Sequence, residues 1–125
     1  MHDFFNKLNV NQKATLIYCT AQILKLSGQE ILAYCSNMQT SMEDMGIPII
    51  LTNLTADNVK SNIRSIPSQY KNDLIHYFTV DLCQGRSRVI TQEKFNLIAA
   101  ILSNANIPHW DILSYAIKQK ITLQP

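Results

Sequence analysis

Twice along this 125-residue chain an apolar helical pattern runs into a small or amide residue, an isoleucine and a proline: Met45-Gly46-Ile47-Pro48 and Ala105-Asn106-Ile107-Pro108. Glycine and asparagine enter the left-handed region just past a helix end most easily, the apolar residue folds back on the last turn, and proline stops the helix from resuming. Each signal lies about twenty residues beyond a glycine, Gly28 or Gly85, that is expected to close an earlier apolar helix. The pattern predicts a duplicated helical pair, with pseudo-repeats over 11–48 and 68–108.

The length suits one domain over 1–125, and a chain of this size buries about two-thirds of its unfolded surface. Hydrophobic residues make up 46% and charged residues 16% of the sequence, an ordinary globular composition whose polar surface leans on Asn and Gln. The formal charge of +2 points to no nucleic-acid or membrane partner. Lys60, Arg64, Lys71, Arg86 and Arg88, with Tyr70 and Tyr77 nearby, read as a solvated face. Cys19, Cys35 and Cys83 show no C-x-x-C spacing and sit in apolar helical patterns, as buried reduced thiols of a cytoplasmic protein would. No apolar run is long enough for a transmembrane helix, and the start Met1-His2-Asp3-Phe4-Phe5 lacks a basic leader.

Asn9 and Gln12 have capping-box spacing, and Leu16, Ile17, Thr20, Ile23 and Leu24 then line one helical face toward Gly28. Ser27 and Glu30 repeat the cap spacing before a stripe of Ile31, Leu32, Cys35, Met38, Met42 and Met45. Ile49-Ile50-Leu51 follows Pro48 as an extended apolar connector. Thr55-Ala56-Asp57 opens a short helix that ends before Pro67. The next helix runs from Ser68 toward Cys83, with Tyr70, Leu74, Phe78 and Leu82 on one face. Thr91 caps a well-specified helix, with Ile90 and Phe95 placed for a hydrophobic staple, and a last helix carries Trp110, Leu113, Ala116 and Ile117 inward. Ile121-Thr122-Leu123 is expected to fray or to dock loosely. With no strand pattern of comparable quality, the class is all-α, a single bundle of about six to seven helices.

The second half, Leu74 to Ile117, resembles the tellurite-resistance B-like (TerB-like) helical family through Gln84-Gly85, Ile90-Thr91, Glu93 and Asn106-Ile107-Pro108. The first half resembles it more loosely, through Ser27-Gly28 and Gly46-Ile47-Pro48. The resemblance implies a duplicated helical arrangement and a divalent-metal-binding role in stress response. This chain departs from it where Ser27 and Gln84 replace loop aspartates. Asp81 and Glu93 remain as candidate metal ligands, a thin set for a hard cation.

No catalytic constellation is present. His2, His76 and His109 are scattered, and His76 and Cys83, seven apart on one helix, would stand about 10 Å from each other. The leading expectation is a non-enzymatic interaction or scaffold domain without a cofactor, engaging a protein partner or a second copy through exposed apolar residues. Ile49, Ile50 and Met42 are the candidates. The alternative is a divalent-metal-binding stress protein.

Overall fold

A computed structural model describes residues 3–31, 47–84 and 88–125. The described residues are mostly helical, and the chain divides into two compact units, Met1–Ile66 and Pro67–Pro125. The boundary falls between the two expected pseudo-repeats.

In the first unit a short helix α1 (Asp3–Asn6) buries Phe4 and Phe5 and leads into α2 (Val10–Leu24). The Asn9–Gln12 capping box forms: the Gln12 amide donates to Asn9 Oδ1 at 2.8 Å and the Asn9 amide to Gln12 Oε1 at 2.9 Å. Burial along α2 covers more than one face, taking in Ala14, Leu16, Ile17, Cys19 and Ile23. The polar members of that surface are satisfied internally, as buried hydroxyls must be. Thr20 donates to the Leu16 carbonyl at 2.8 Å, and Thr15 accepts from Asn62 Nδ2 at 2.9 Å while donating to the Asn11 carbonyl. Two helices pack on α2: α3 (Ile47–Asn53) and α4 (Ala56–Arg64). Thr55 caps α4 by accepting the Asn58 amide at 3.1 Å.

Two sequence expectations change here. Gly28 does not close α2. That helix ends at Leu24, Lys25 takes the left-handed conformation (φ 56°), and the Leu26 amide reaches back to the Ala21 carbonyl at 3.0 Å. Gly28 instead follows the N-cap Ser27, whose hydroxyl accepts the Glu30 amide, and begins a helix described as far as Ile31. A Cβ added at Gly28 would meet nothing within 4 Å. Gly28→Ala is therefore expected to stabilise the protein by about 0.4–1 kcal/mol through lower unfolded-chain entropy. Urea denaturation that shows a loss of that size would restore the left-handed reading. Ile49-Ile50-Leu51 is helical, not extended, because the missing N–H and fixed φ of Pro48 suit a helix's first turn as well as they block an earlier one. Met42, Met45, Gly46 and Gly85 lie outside the described residues.

In the second unit the expected helix from Ser68 changes pitch along its length. It begins as a 3-10 turn (Ser68–Tyr70), becomes α5 (Lys71–His76) and widens into a π-helical segment (Tyr77–Gln84). Thr79 donates to the Ile75 carbonyl at 2.6 Å, a side-chain competitor for the backbone ladder at the point where it widens. Leu74, Ile75, Tyr77, Phe78 and Thr79 are all buried there.

A strand β1 (Val89–Thr91) then pairs in parallel with β2 (Thr122–Gln124), Ile90 opposite Leu123. Of the two expected outcomes for the tail it is docking that holds, in register as a strand, and the all-α body carries a two-stranded ladder. Arg88 secures both elements: its carbonyl accepts the Thr122 amide at 2.8 Å and its guanidinium donates to the Gln119 carbonyl at 2.7 Å.

Between the strands run α6 (Gln92–Ser103) and α7 (His109–Lys118). Thr91 caps α6 as expected, accepting the Lys94 amide at 3.2 Å, and Ile90 and Phe95 are both buried. The Asn106 signal works as written: φ is 59°, the Asn106 amide donates to Ser103 and the Ile107 amide to Leu102. The same paired bonds end α7, where Lys120 (φ 59°) donates to Ile117 and Ile121 to Ala116. Among the described residues no helix is long and apolar enough to cross a membrane.

Candidate functional site

Helix α7 carries the features that chemistry or recognition could use, because its side chains point in three directions. Ile112 and Ala116, one turn apart, are buried. Trp110 and Ile117 face away from them and are 70% and 66% exposed, with half-buried Leu113 between. Two residue pairs on one short helix therefore define two apolar stripes, only one of which the described residues cover. The expected stripe of Trp110, Leu113, Ala116 and Ile117 divides: Ala116 is buried, beside Ile112, and 3.6-residue periodicity then turns Trp110 and Ile117 outward.

The third direction is a polar edge toward α5. Lys71 Nζ donates to Asp111 Oδ2 in an ion pair whose two side chains are 42% and 35% exposed. The Tyr115 hydroxyl is hydrogen-bonded to His76 Nδ1, their rings edge to face with centroids 5.9 Å apart, and His76 Nε2 lies 3.6 Å from Asp81 Oδ1. A carboxylate, an imidazole and a phenol thus form one chain across α5, the π segment and α7. Partial burial raises the phenol's pKa, and the carboxylates of Asp81 and Asp73 raise it further. Tyr115 therefore keeps its proton beyond the ordinary tyrosine range. A cavity of about 240 Å³ opens beside it, bounded by Lys71, Asn72 and Ile75 on one side and Asp111, Ser114, Tyr115 and Lys118 on the other.

The expected site residues are dispersed. Asp81 is exposed and faces His76, and Glu93 is exposed in the first turn of α6. Among the described residues no group of three or more His, Cys, Asp or Glu is placed to hold a metal ion. Ile50 is half-buried and lines an uncharged cavity of about 330 Å³ in the first unit, among Asn11, Asn53, Asn58 and Asn62. Ile49 is helical, and Met42 lies outside the described residues.

The described cysteines are poor nucleophiles. Burial pushes the Cys19 thiol up to about 12, and burial pushes Cys83 up to about 11 against the opposing pull of Lys94. His109 is exposed at the start of α7, its ring meeting Phe95 edge to face at 5.1 Å.

The sequence reading missed the Tyr115–His76 and Lys71–Asp111 pairs. The partners lie about forty residues apart, so no local spacing announces them. The outward stripe did leave a trace, since Ile112 competes with Trp110 and Ile117 for the inward position beside Ala116. Comparison with protein-family profiles, with curated proteins and with solved structures returns no match.

Proposed function

We propose that this chain is a non-enzymatic interaction domain whose recognition element is α7, offered as a helical ligand to an apolar groove on a partner protein. One observation carries the reading: the single tryptophan of the chain is 70% exposed and shares its stripe with Ile117. Trp110, Leu113 and Ile117 stand at i, i+3 and i+7, the anchor spacing of helices that bind in grooves. Tryptophan is also a favoured centre of binding energy when a partner pocket desolvates it.

Size argues for a groove over a second copy. With at most about 250 Å² of surface on a tryptophan, 70% exposure offers roughly 170 Å², against about 800 Å² per partner in a standard interface. Two α7 helices laid face to face bury too little, whereas a groove that wraps the helix also uses its flanks. Among the described residues, the raised thiols of Cys19 and Cys83 fit a body that does not act through a cysteine nucleophile.

The test is a photo-crosslinking residue at position 117 in cells, followed by titration of the recombinant captured protein. Emission from Trp110 should shift to the blue on binding, and Ile117→Asp should weaken binding at least tenfold. A captured protein that binds Ile117→Asp equally well would refute the assignment. So would a blue shift that grows with the concentration of this chain alone, since that makes a second copy the occupant.

A further inference from the structure

We propose that the asparagine-lined cavity of the first unit binds a short extended peptide segment through its backbone. Three helices converge on its volume of about 330 Å³: α2 brings Asn11, α3 brings Ile50 and Asn53 with Leu54 just beyond its end, and α4 brings Asn58 and Asn62.

The hydrogen bonds around the cavity fix which atoms two of the carboxamides can offer. The Thr15 hydroxyl gives its proton to the Asn11 carbonyl, so it can only accept from Asn62, which turns Nδ2 toward it and keeps Oδ1 for a ligand. The Thr55 amide and hydroxyl both donate to Asn58 Oδ1, which leaves the protons of Asn58 Nδ2. Among the described residues the Asn11 side chain has no hydrogen-bond partner, and its carboxamide offers a donor and an acceptor together. Because Thr15 and Thr55 hold two of these groups before any ligand arrives, little ordering cost falls on binding.

That combination suits peptide backbone. One residue of an extended chain turns its N–H and its C=O to the same edge, and the arrangement recurs every second residue, about 6.6–6.8 Å along the chain. Asn58 and Asn62 stand one turn apart on α4, about 6 Å along its axis, so a donor and an acceptor are set at nearly that repeat. None of the described lining residues is charged or aromatic, so an ionic ligand finds no counter-charge and a sugar ring no face to stack on. Ile50 and Leu54, both half-buried, supply instead an apolar wall for one side chain of the segment. Backbone bonds then give affinity and the wall gives preference, as in other recognition of extended peptides. The site lies wholly in the first unit and stands independently of the α7 reading.

Backbone amide spectra of the full chain, titrated with the uncharged peptide acetyl-alanyl-leucyl-alanine amide, test the site. Saturable shifts at residues 11–15, 50–54 and 58–62 are expected, and high salt should leave them unchanged because no charge takes part. The analogue methylated at each peptide nitrogen lacks the backbone donors and should bind about tenfold more weakly, the size of one lost hydrogen bond. The same loss is expected for the parent peptide on Asn11→Ala, an exposed change that breaks no side-chain bond among the described residues. Asn104→Ala, in the second unit, should bind as the parent chain does. Shifts that do not saturate, that glucose reproduces, that high salt abolishes, or that persist at equal strength with the methylated peptide or with Asn11→Ala overturn the proposal.

Discussion

Truncating Phe95 to alanine is expected to remove about 3–5 kcal/mol of stability, whereas truncating Trp110 should change it by no more than about 0.5 kcal/mol. The ordering inverts what side-chain size suggests. Phe95 is fully buried in the second turn of α6, beyond Thr91, and its ring meets His109 edge to face. Alanine there forfeits the transfer energy of a phenyl ring and leaves a cavity that a packed interior refills only in part. Against a typical total of about 5–15 kcal/mol, that loss is a large fraction of what keeps the chain folded. Trp110 is already 70% in water, and alanine is the better helix former, so little is lost in the isolated protein. Urea midpoints for the two variants, with unchanged slopes, give the comparison directly. Equal losses would place the indole in the core and remove the basis for an interaction face on α7.

The second large effect is alkaline. Below about pH 9 the Cys19 thiol is protonated in both folded and unfolded chains and adds no pH dependence. Above that value the unfolded thiol ionises while the buried one, pushed up to about 12, keeps its proton. Unfolding then releases a proton, so stability falls as pH rises, by up to about 1.4 kcal/mol per unit for this one group. The slope flattens once the folded thiol ionises as well. Cys83, pushed up to about 11 and only half-buried, acts in the same direction with less force. Denaturation midpoints measured through this range should fall less steeply for Cys19→Ala than for the parent chain, after allowing for the small cavity the change leaves. Parallel profiles would mean that Cys19 is solvated and not packed inside α2.

Local chemistry was the legible part of this fold. The boxes at Asn9–Gln12 and Ser27–Glu30, the cap at Thr91 and the left-handed Asn106 each depend on residues within a few positions of one another, so their spacing alone announces them. Proline was ambiguous: Pro48 read as a stop and proved to be part of a start. The short ladder was illegible because three residues are too few to show alternation, and the partner of Val89 is Thr122 at the other end of the unit. The polar edge of α7 was illegible for a related reason. Lys71 and Asp111, like His76 and Tyr115, meet only after α6 and the strand have folded the chain back. Lysine at a left-handed helix end carries no propensity signal at all, which is why α2 was read as running on to Gly28.

Those left-handed helix ends give Lys25 and Lys120 a shared property. A trypsin-like protease needs the chain on both sides of a basic residue drawn out straight, yet here each such residue sits in a reverse bend. The next amide after Lys25 and after Lys120 is also tied back to the preceding helix. Two of the chain's eleven basic residues are thus withheld from cutting until a helix end opens. The rate at which fragments appear from these points would time that opening, one helix end at a time.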